Sequence, residues 1–316
     1  MSARNHHYLS QFYLRGFAER GSDEPWVHVL DLDQRKTFKT KPRNVGAVRD
    51  FNRVELDGHD PNVLEDRMAQ LESGAAQAWT HVHDGAPFEG EDRELVLTMV
   101  ALQHIRTPER REMWRRTQAH NAEIVMGMVV SSEERWNAHV RRAREAGADL
   151  PEVSYAEAKQ FYEEKAYRID VPQESHLHME FVGLEAVAPP LLARRWQVLR
   201  TDPRTEPFIT SDQPAHLAWI HPEEVPPIHR DHPGHGFKDT RVWYPMSSEL
   251  AIVGEFDGPL GERRVRPDVV AIVNLMTIRG ARRRLYAPTL DFHYLDHGLE
   301  VRDGHYLLEK MQESGT

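Results

Sequence analysis

Pro189-Pro190-Leu191-Leu192-Ala193-Arg194-Arg195-Trp196-Gln197-Val198-Leu199-Arg200 is the stretch on which the fold turns. Proline lacks an amide hydrogen, and the residue before it avoids the helical region, so the pair reads as the end of a helical run. Arg195 to Arg200 then alternates in the manner of a strand. Upstream, the chain reads as almost wholly helical from Asp60-Pro61-Asn62 onward. Leu64, Met68, Leu71, Ala75 and Ala78 recur at helical spacing, and after a loop over 85–90 Leu95, Met99 and Leu102 form a second stripe. Thr107-Pro108 supplies a capping residue and a first-turn proline, which predicts a kink or break and then a long helix to about residue 130. Ser131-Ser132-Glu133-Glu134 opens a helix to about 146, Ser154 one to about 168, and Pro172 one to about Ala188.

Both flanks of this helical middle carry strand patterns. Trp26 to Asp31 and Thr37 to Thr40 read as a hairpin about Asp33-Gln34-Arg35-Lys36, preceded by a short helix over 6–17 and followed by irregular chain over 44–55. Beyond Arg200, strands are expected at 207–210, 241–245, 250–254, 293–295 and 305–307, a Pro/His/Gly-rich loop at 220–238, and a helix from Val265 to about Tyr286. Strands at both ends with helices between predict an α+β fold, its N-terminal hairpin joining the C-terminal strands in a mixed or antiparallel sheet. The expected organisation is a single domain over 1–316, with a helical middle at about 60–188 and a strand-rich part at about 194–310.

The 316 residues are 40% hydrophobic and 28% charged, as in an ordinary globular protein able to bury a core without staples. There is no cysteine, which excludes disulfides, thiolate metal sites and a cysteine nucleophile, and fits a reducing cytoplasm. Met-Ser-Ala-Arg opens the chain without an apolar leader pattern, and no apolar run reaches the length of a membrane span, so no membrane partner is expected. A net charge of −10 argues against broad, non-specific nucleic-acid binding, although Arg263-Arg264 and Arg282-Arg283-Arg284 leave room for a local anion site. No glycine-rich phosphate loop, dinucleotide fingerprint, Gly-x-Ser-x-Gly elbow or His-Glu-x-x-His helix is present.

Several polar groups stand out against this background. On a helix Arg106 shares the face of Leu95, Met99 and Leu102, so its guanidinium should enter the core. There it needs a carboxylate, a phosphate or several carbonyls: either a structural tie at the Thr107-Pro108 break or an anion site. Gln103 lies one flank away from that stripe, and His104 projects to the opposite side, where exposure is expected. Glu65 and Glu72, seven residues apart, edge the apolar stripe of their helix. Two carboxylates on one side can hold a metal or form an acid–base pair, and equally serve as solvated flank charges. Asp212 sits in the polar turn of Phe208-Ile209-Thr210-Ser211-Asp212-Gln213-Pro214, either bonding local backbone or acting as a ligand or base at a strand end. His6 and His7 cannot face the same way in an extended segment, so one is expected inside and the other outside.

The opening, Asn5-His6-His7-Tyr8-Leu9-Ser10-Gln11-Phe12-Tyr13-Leu14-Arg15-Gly16-Phe17, resembles that of the family known as domain of unknown function 4238, with Ser10 where proline is common. The Glu65–Glu72 helix, Gln103-x-x-Arg106-Thr107-Pro108, the Ser211-Asp212-Gln213-Pro214 turn, Tyr244-Pro245-Met246-Ser247 and Asn274 extend the resemblance over roughly residues 5–290. It implies no activity, but it ranks His7, Gln11, Arg15, Glu65, Glu72, Arg106, Asp212 and Asn274 as site candidates and implies a bacterial, cytoplasmic protein. The leading expectation is a hydrolase of an anionic, phosphate-containing substrate, assisted by a divalent metal ion. In it His7, Asp212 and Glu65 are catalytic, Glu65, Glu72 and Asp212 hold the metal, and Arg15, Arg106, Gln11 and Asn274 bind. The alternatives are a non-catalytic anion- or peptide-binding protein using the same residues, and a buried polar network that locks the N-terminus to the helices.

Overall fold

The computed structural model describes residues 5–19, 24–52, 63–165, 167–231 and 233–313, with backbone only at 63–65. Two compact units divide the chain: Met1–Pro108 together with Glu180–Thr316, and Glu109–Met179. The architecture is α+β, as expected.

The first unit begins with β1 (Asn5–His7), α1 (Gln11–Arg15), β2 (Val27–Asp31), β3 (Lys36–Thr40) and β4 (Ala47–Arg49), then α2 (Val63–His83) and α3 (Gly90–Ile105). The helix expected over 6–17 is shorter, because β1 pairs antiparallel with β4 in the stretch expected to be irregular. His6 accounts for this: the ring is buried, and its Nδ1 accepts the Asn52 amide at 2.8 Å, which holds the opening extended beside residues 47–52. The hairpin forms as predicted, with Val27 opposite Thr40 and Asp31 opposite Lys36. In α3 burial is wider than one stripe: Val96, Leu97, Met99, Val100, Ala101, Gln103 and Ile105 are all inside.

The second unit holds α4 (Pro108–Val129), α5 (Glu133–Glu145), α6 (Tyr155–Glu163) and the opening of α7 (Gln173–Ala193). Serines start two of these helices: Ser132 accepts the Arg135 amide, and Ser154 forms a reciprocal capping box with Glu157. Gly127 of α4 lets the Tyr162 ring approach closely: a Cβ there would lie 2.6 Å from its hydroxyl and would push that ring end aside. Helix α6 ends at Glu163, short of the expected 168.

Back in the first unit, α7 runs through Pro189 and Pro190 rather than stopping at Ala188. Carbonyls near its end find donors outside the helix: the Trp196 indole bonds Leu191 O at 2.9 Å, and Arg93 bonds Leu192 O at 2.6 Å. The remaining elements are β5 (Arg195–Arg200), β6 (Thr210–Ser211), β7 (His216–Trp219), α8 (Pro227–Arg230), β8 (Thr240–Pro245), β9 (Leu250–Glu255), β10 (Gly261–Arg264), α9 (Pro267–Gly280), β11 (Arg284–Ala287), β12 (His293–Leu295), β13 (Val301–Asp303) and α10 (Gly304–Glu313).

Two larger sheets result, in the orders β10-β5-β9-β8-β7 and β3-β2-β11-β6. The second joins the N-terminal hairpin to the C-terminal part of the chain, through a strand hidden in the helix expected to reach Tyr286. Asp212 explains why that helix stops: its carboxylate accepts the amides of Arg282 and Arg283 just past the end of α9, which turns the chain into β11. The strand expected at 305–307 is helical, because Asp303 accepts the Tyr306 amide at 2.8 Å and starts α10. The strand expected at 207–210 shrinks to β6, since the Phe208 and Ile209 amides bond Ser248 O and the Asn274 side chain instead of a ladder.

The main core lies between α1, α2, α3 and the five-stranded sheet, with Leu9, Tyr13, Leu14, Phe17, Ala75, Val82, Met99, Tyr244 and Ile252 among its members. Among the described residues, no helix is long and apolar enough to cross a membrane.

Candidate functional site

Helix α1 is two-faced. Leu9, Tyr13, Leu14 and Phe17 are buried completely. The Tyr13 hydroxyl contacts Thr210 Oγ1 at 2.6 Å and donates to Pro245 O at 2.8 Å. Beside it the Trp79 indole donates to Met246 O at 2.9 Å, and the Tyr244 hydroxyl donates to Gln103 Oε1. Burial pushes the Tyr13 and Tyr244 phenols well above their ordinary range, so both stay protonated as donors. The opening, the Gln103-x-x-Arg106 segment, the Thr210 turn and the Tyr244-Pro245-Met246 segment thus meet in one buried network.

The other face of the opening borders open space. Gln11 and Arg15, four residues apart, share one side of α1, and His7 of β1 precedes them. His7, Gln11, Phe12, Asn52 and Glu72 line a cavity of about 350 Å³. Phe12, Arg15, Trp79, Thr80, His83 and Ser247 line one of about 410 Å³. Gln11 and Arg15, with Glu24, Lys41 and Arg43, line a third of about 170 Å³. Gln11, Phe12 and Arg15 each belong to two of these, so the three spaces adjoin around α1.

Charge is uneven along this groove. Arg15 is exposed, and its guanidinium makes no hydrogen bond or ion pair with any described residue. Arg43 stands near, and Lys41 pairs with Glu24, whose carboxyl it holds below the usual range. The opposite end carries His7 and the half-buried Glu72.

The remaining candidates serve elsewhere. Arg106 is 5% exposed, buried as expected although it caps α3 rather than continuing its face; it donates to Asn52 Oδ1 and pairs with Glu180 at 3.3 Å. Asn52 also lines the His7 cavity, so Arg106 supports that wall from behind. Asn274 is completely buried; its Oδ1 accepts the Ile209 amide at 3.0 Å, and its Nδ2 donates to Pro207 O at 3.0 Å and His293 O at 2.8 Å. Asp212, 1% exposed, accepts the Arg282 amide at 3.0 Å and the Arg283 amide at 2.8 Å. Burial pushes its carboxyl above the usual range against the pull of those amides. It makes no hydrogen bond or ion pair with His7, Arg106 or Glu72. The side chain of Glu65 lies outside the described residues. A divalent ion shared by Glu72 and Asp212 is therefore not favoured, because the Asp212 carboxylate is already committed to the turn. Among the described residues one group of three side chains is spaced to hold a metal, His221, Glu223 and Glu224, and all three are exposed.

His104, expected outside, is half-buried: its Nε2 lies 3.0 Å from Nε2 of His235, and its Nδ1 3.3 Å from Ala215 O. Groove residues that sequence reasoning did not single out are Phe12, Lys41 and Arg43. Within the sequence, only the four-residue step from Gln11 to Arg15 hints at the groove.

No curated protein and no solved structure matches this chain. The buried network and the groove are instead built from motifs spread across most of the sequence. The family model that matches the chain takes in residues 5–290, and the protein therefore belongs to the family described as protein of unknown function (DUF4238).

Proposed function

We propose that the groove around α1 binds a small anionic ligand of the phosphate-containing class, its charge held by Arg15. The carrying observation is that His7, Gln11 and Arg15 line adjoining cavities while the other face of α1 is locked into the core. An exposed guanidinium with no acidic partner among the described residues offers its planar fork to a carboxylate or phosphate. Arg43 adds positive potential, Gln11 offers an amide, and Phe12 an apolar wall. The lack of cysteine goes with a reducing, cytoplasmic setting, and the family resemblance with a bacterial one.

Hydrolysis of the bound ligand is the second reading. It is favoured by His7 and Glu72 lining one cavity, a pairing suited to moving a proton. One probe, p-nitrophenyl phosphate, addresses both. Calorimetry on the full chain should show saturable binding that Arg15→Gln weakens roughly tenfold, about 1.4 kcal/mol, and that Arg116→Gln leaves unchanged. Equal affinity in wild type and Arg15→Gln removes the binding reading. Release of nitrophenolate that is lost in His7→Ala makes the groove catalytic; binding without release leaves it a binder.

A further inference from the structure

The five-stranded sheet carries a cleft well separated in sequence from α1. On β5, Arg195, Gln197 and Leu199 point to one side of the sheet, as alternate residues of a strand do. Register carries that side across the sheet: Arg195 lies opposite Glu255 and Gln197 opposite Val253 on β9, Trp243 of β8 lies opposite Val253, and Arg263 of the parallel edge strand β10 lies beside Leu199. These side chains, with Val269 of α9, line a cavity of about 240 Å³.

Its floor and rim differ in chemistry. Leu199, Trp243, Val253 and Val269 belong to one apolar cluster. The rim holds three guanidiniums, Arg195, Arg241 and Arg263, against one carboxylate, Glu255. Glu255 is taken by Arg241, which also lies 5.1 Å from the Trp243 ring centre. The Arg195 and Arg263 side chains are exposed, and their guanidiniums make no hydrogen bond or ion pair with any described residue. The cleft thus carries two uncompensated positive charges over an aromatic and aliphatic floor. Its volume lies below the roughly 300–1,000 Å³ of sites for drug-sized molecules, so it suits a body about the size of one ring.

We propose that this cleft is a second ligand site, for a compact apolar ring carrying two acidic charges, such as an aromatic dicarboxylate. The ring rests on Trp243 and its aliphatic neighbours, and the acidic groups meet the Arg195 and Arg263 forks. The two parts of this recognition can be separated with three probes on the full chain: phthalate, benzoate and benzyl alcohol. Calorimetry should rank them in that order, because the second and third each lose one charge from a shared ring. The double substitution Arg195→Gln with Arg263→Gln should weaken phthalate at least roughly tenfold. Arg264→Gln, one residue along β10 on the opposite side, and Arg15→Gln, in the α1 groove, should leave it unchanged. Both target arginines are exposed, and either single variant replaces the double one if the latter does not fold, with a circular dichroism spectrum as the check. The proposal is overturned if phthalate binds no tighter than benzyl alcohol, if the arginine variants bind as wild type, or if Arg15→Gln alone abolishes binding.

Discussion

Asn274 offers the sharpest test of whether a motif residue belongs to a site or to the frame that carries one. Its amide is fully engaged: one acceptor bond from Ile209 N–H and two donor bonds, to Pro207 O and His293 O. The side chain is completely buried, so water cannot replace what is removed. Asn274→Ala deletes three bonds worth about 0.5–1.5 kcal/mol each, and leaves a buried amide whose unmet bond costs about 1–3 kcal/mol. Since such terms overlap, a total loss of about 3–4 kcal/mol is expected, at the upper end of ordinary single substitutions. Asn274→Asp is the more telling variant, because a carboxylate still accepts from Ile209 but faces two carbonyl oxygens with nothing to donate unless protonated. It should be at least as destabilising as alanine at neutral pH and should recover part of the loss as the pH falls. Urea unfolding, followed by tryptophan fluorescence and circular dichroism together, gives the midpoint and checks that one transition is being measured. If both variants lose less than about 1 kcal/mol while ligand binding in the groove disappears, the framework role assigned to Asn274 is wrong.

Two further predictions come from other parts of the first unit. Arg106→Lys keeps the charge but cannot reach Asn52 and Glu180 with one planar fork; a loss of about 2–3 kcal/mol in urea unfolding is expected, whereas substitution of the exposed Arg116 should be near neutral, and equal effects would refute the assignment. Burial depresses the His216 imidazole from 6.5 to about 4, with Arg279 and Arg282 adding to the effect. Between those values the unfolded chain holds a proton that the folded one lacks, so stability should rise with pH across that window, by about 1–3 kcal/mol for a half-buried ring; His216→Gln should flatten that part of the pH profile, and an unchanged slope would count against it.

Much of the frame was legible in the sequence because it rests on local rules. Period and capping located most of the helices, the N-terminal hairpin and the β8–β9 pair, and the polar character of Arg106 on an apolar face foretold its burial. Two different causes kept the rest hidden. The carboxylate of Asp212 cuts a helical pattern short and yields β11. Nothing local to that segment announces an acceptor from so far back in the chain. Asp303, by contrast, is a local cap: it accepts the Tyr306 amide three residues on and turns an expected strand into α10, a signal that the alternation of His305-Tyr306-Leu307 masked. The groove was half visible: His7, Gln11 and Arg15 were singled out, but their common side emerges only once Tyr13 and Phe17 are seen to be locked inward. The expectation that Asp212 and Asn274 belong with them rested on co-occurrence in motifs, and motifs mark framework as readily as chemistry.

The ion pair between Arg106 and Glu180 has a position in the chain as well as in space. The second unit begins at Glu109 and ends at Met179, so these two residues stand at the exit and the return of the polypeptide. They bind each other at the neck of an excursion, and both belong to the unit that the excursion leaves. Closing that neck fixes the two chain ends side by side whatever lies between them. Residues 109–179 can then be read as a parenthesis, a span opened after Pro108 and closed before Glu180. The groove around α1 and the cleft on the five-stranded sheet both lie wholly outside it.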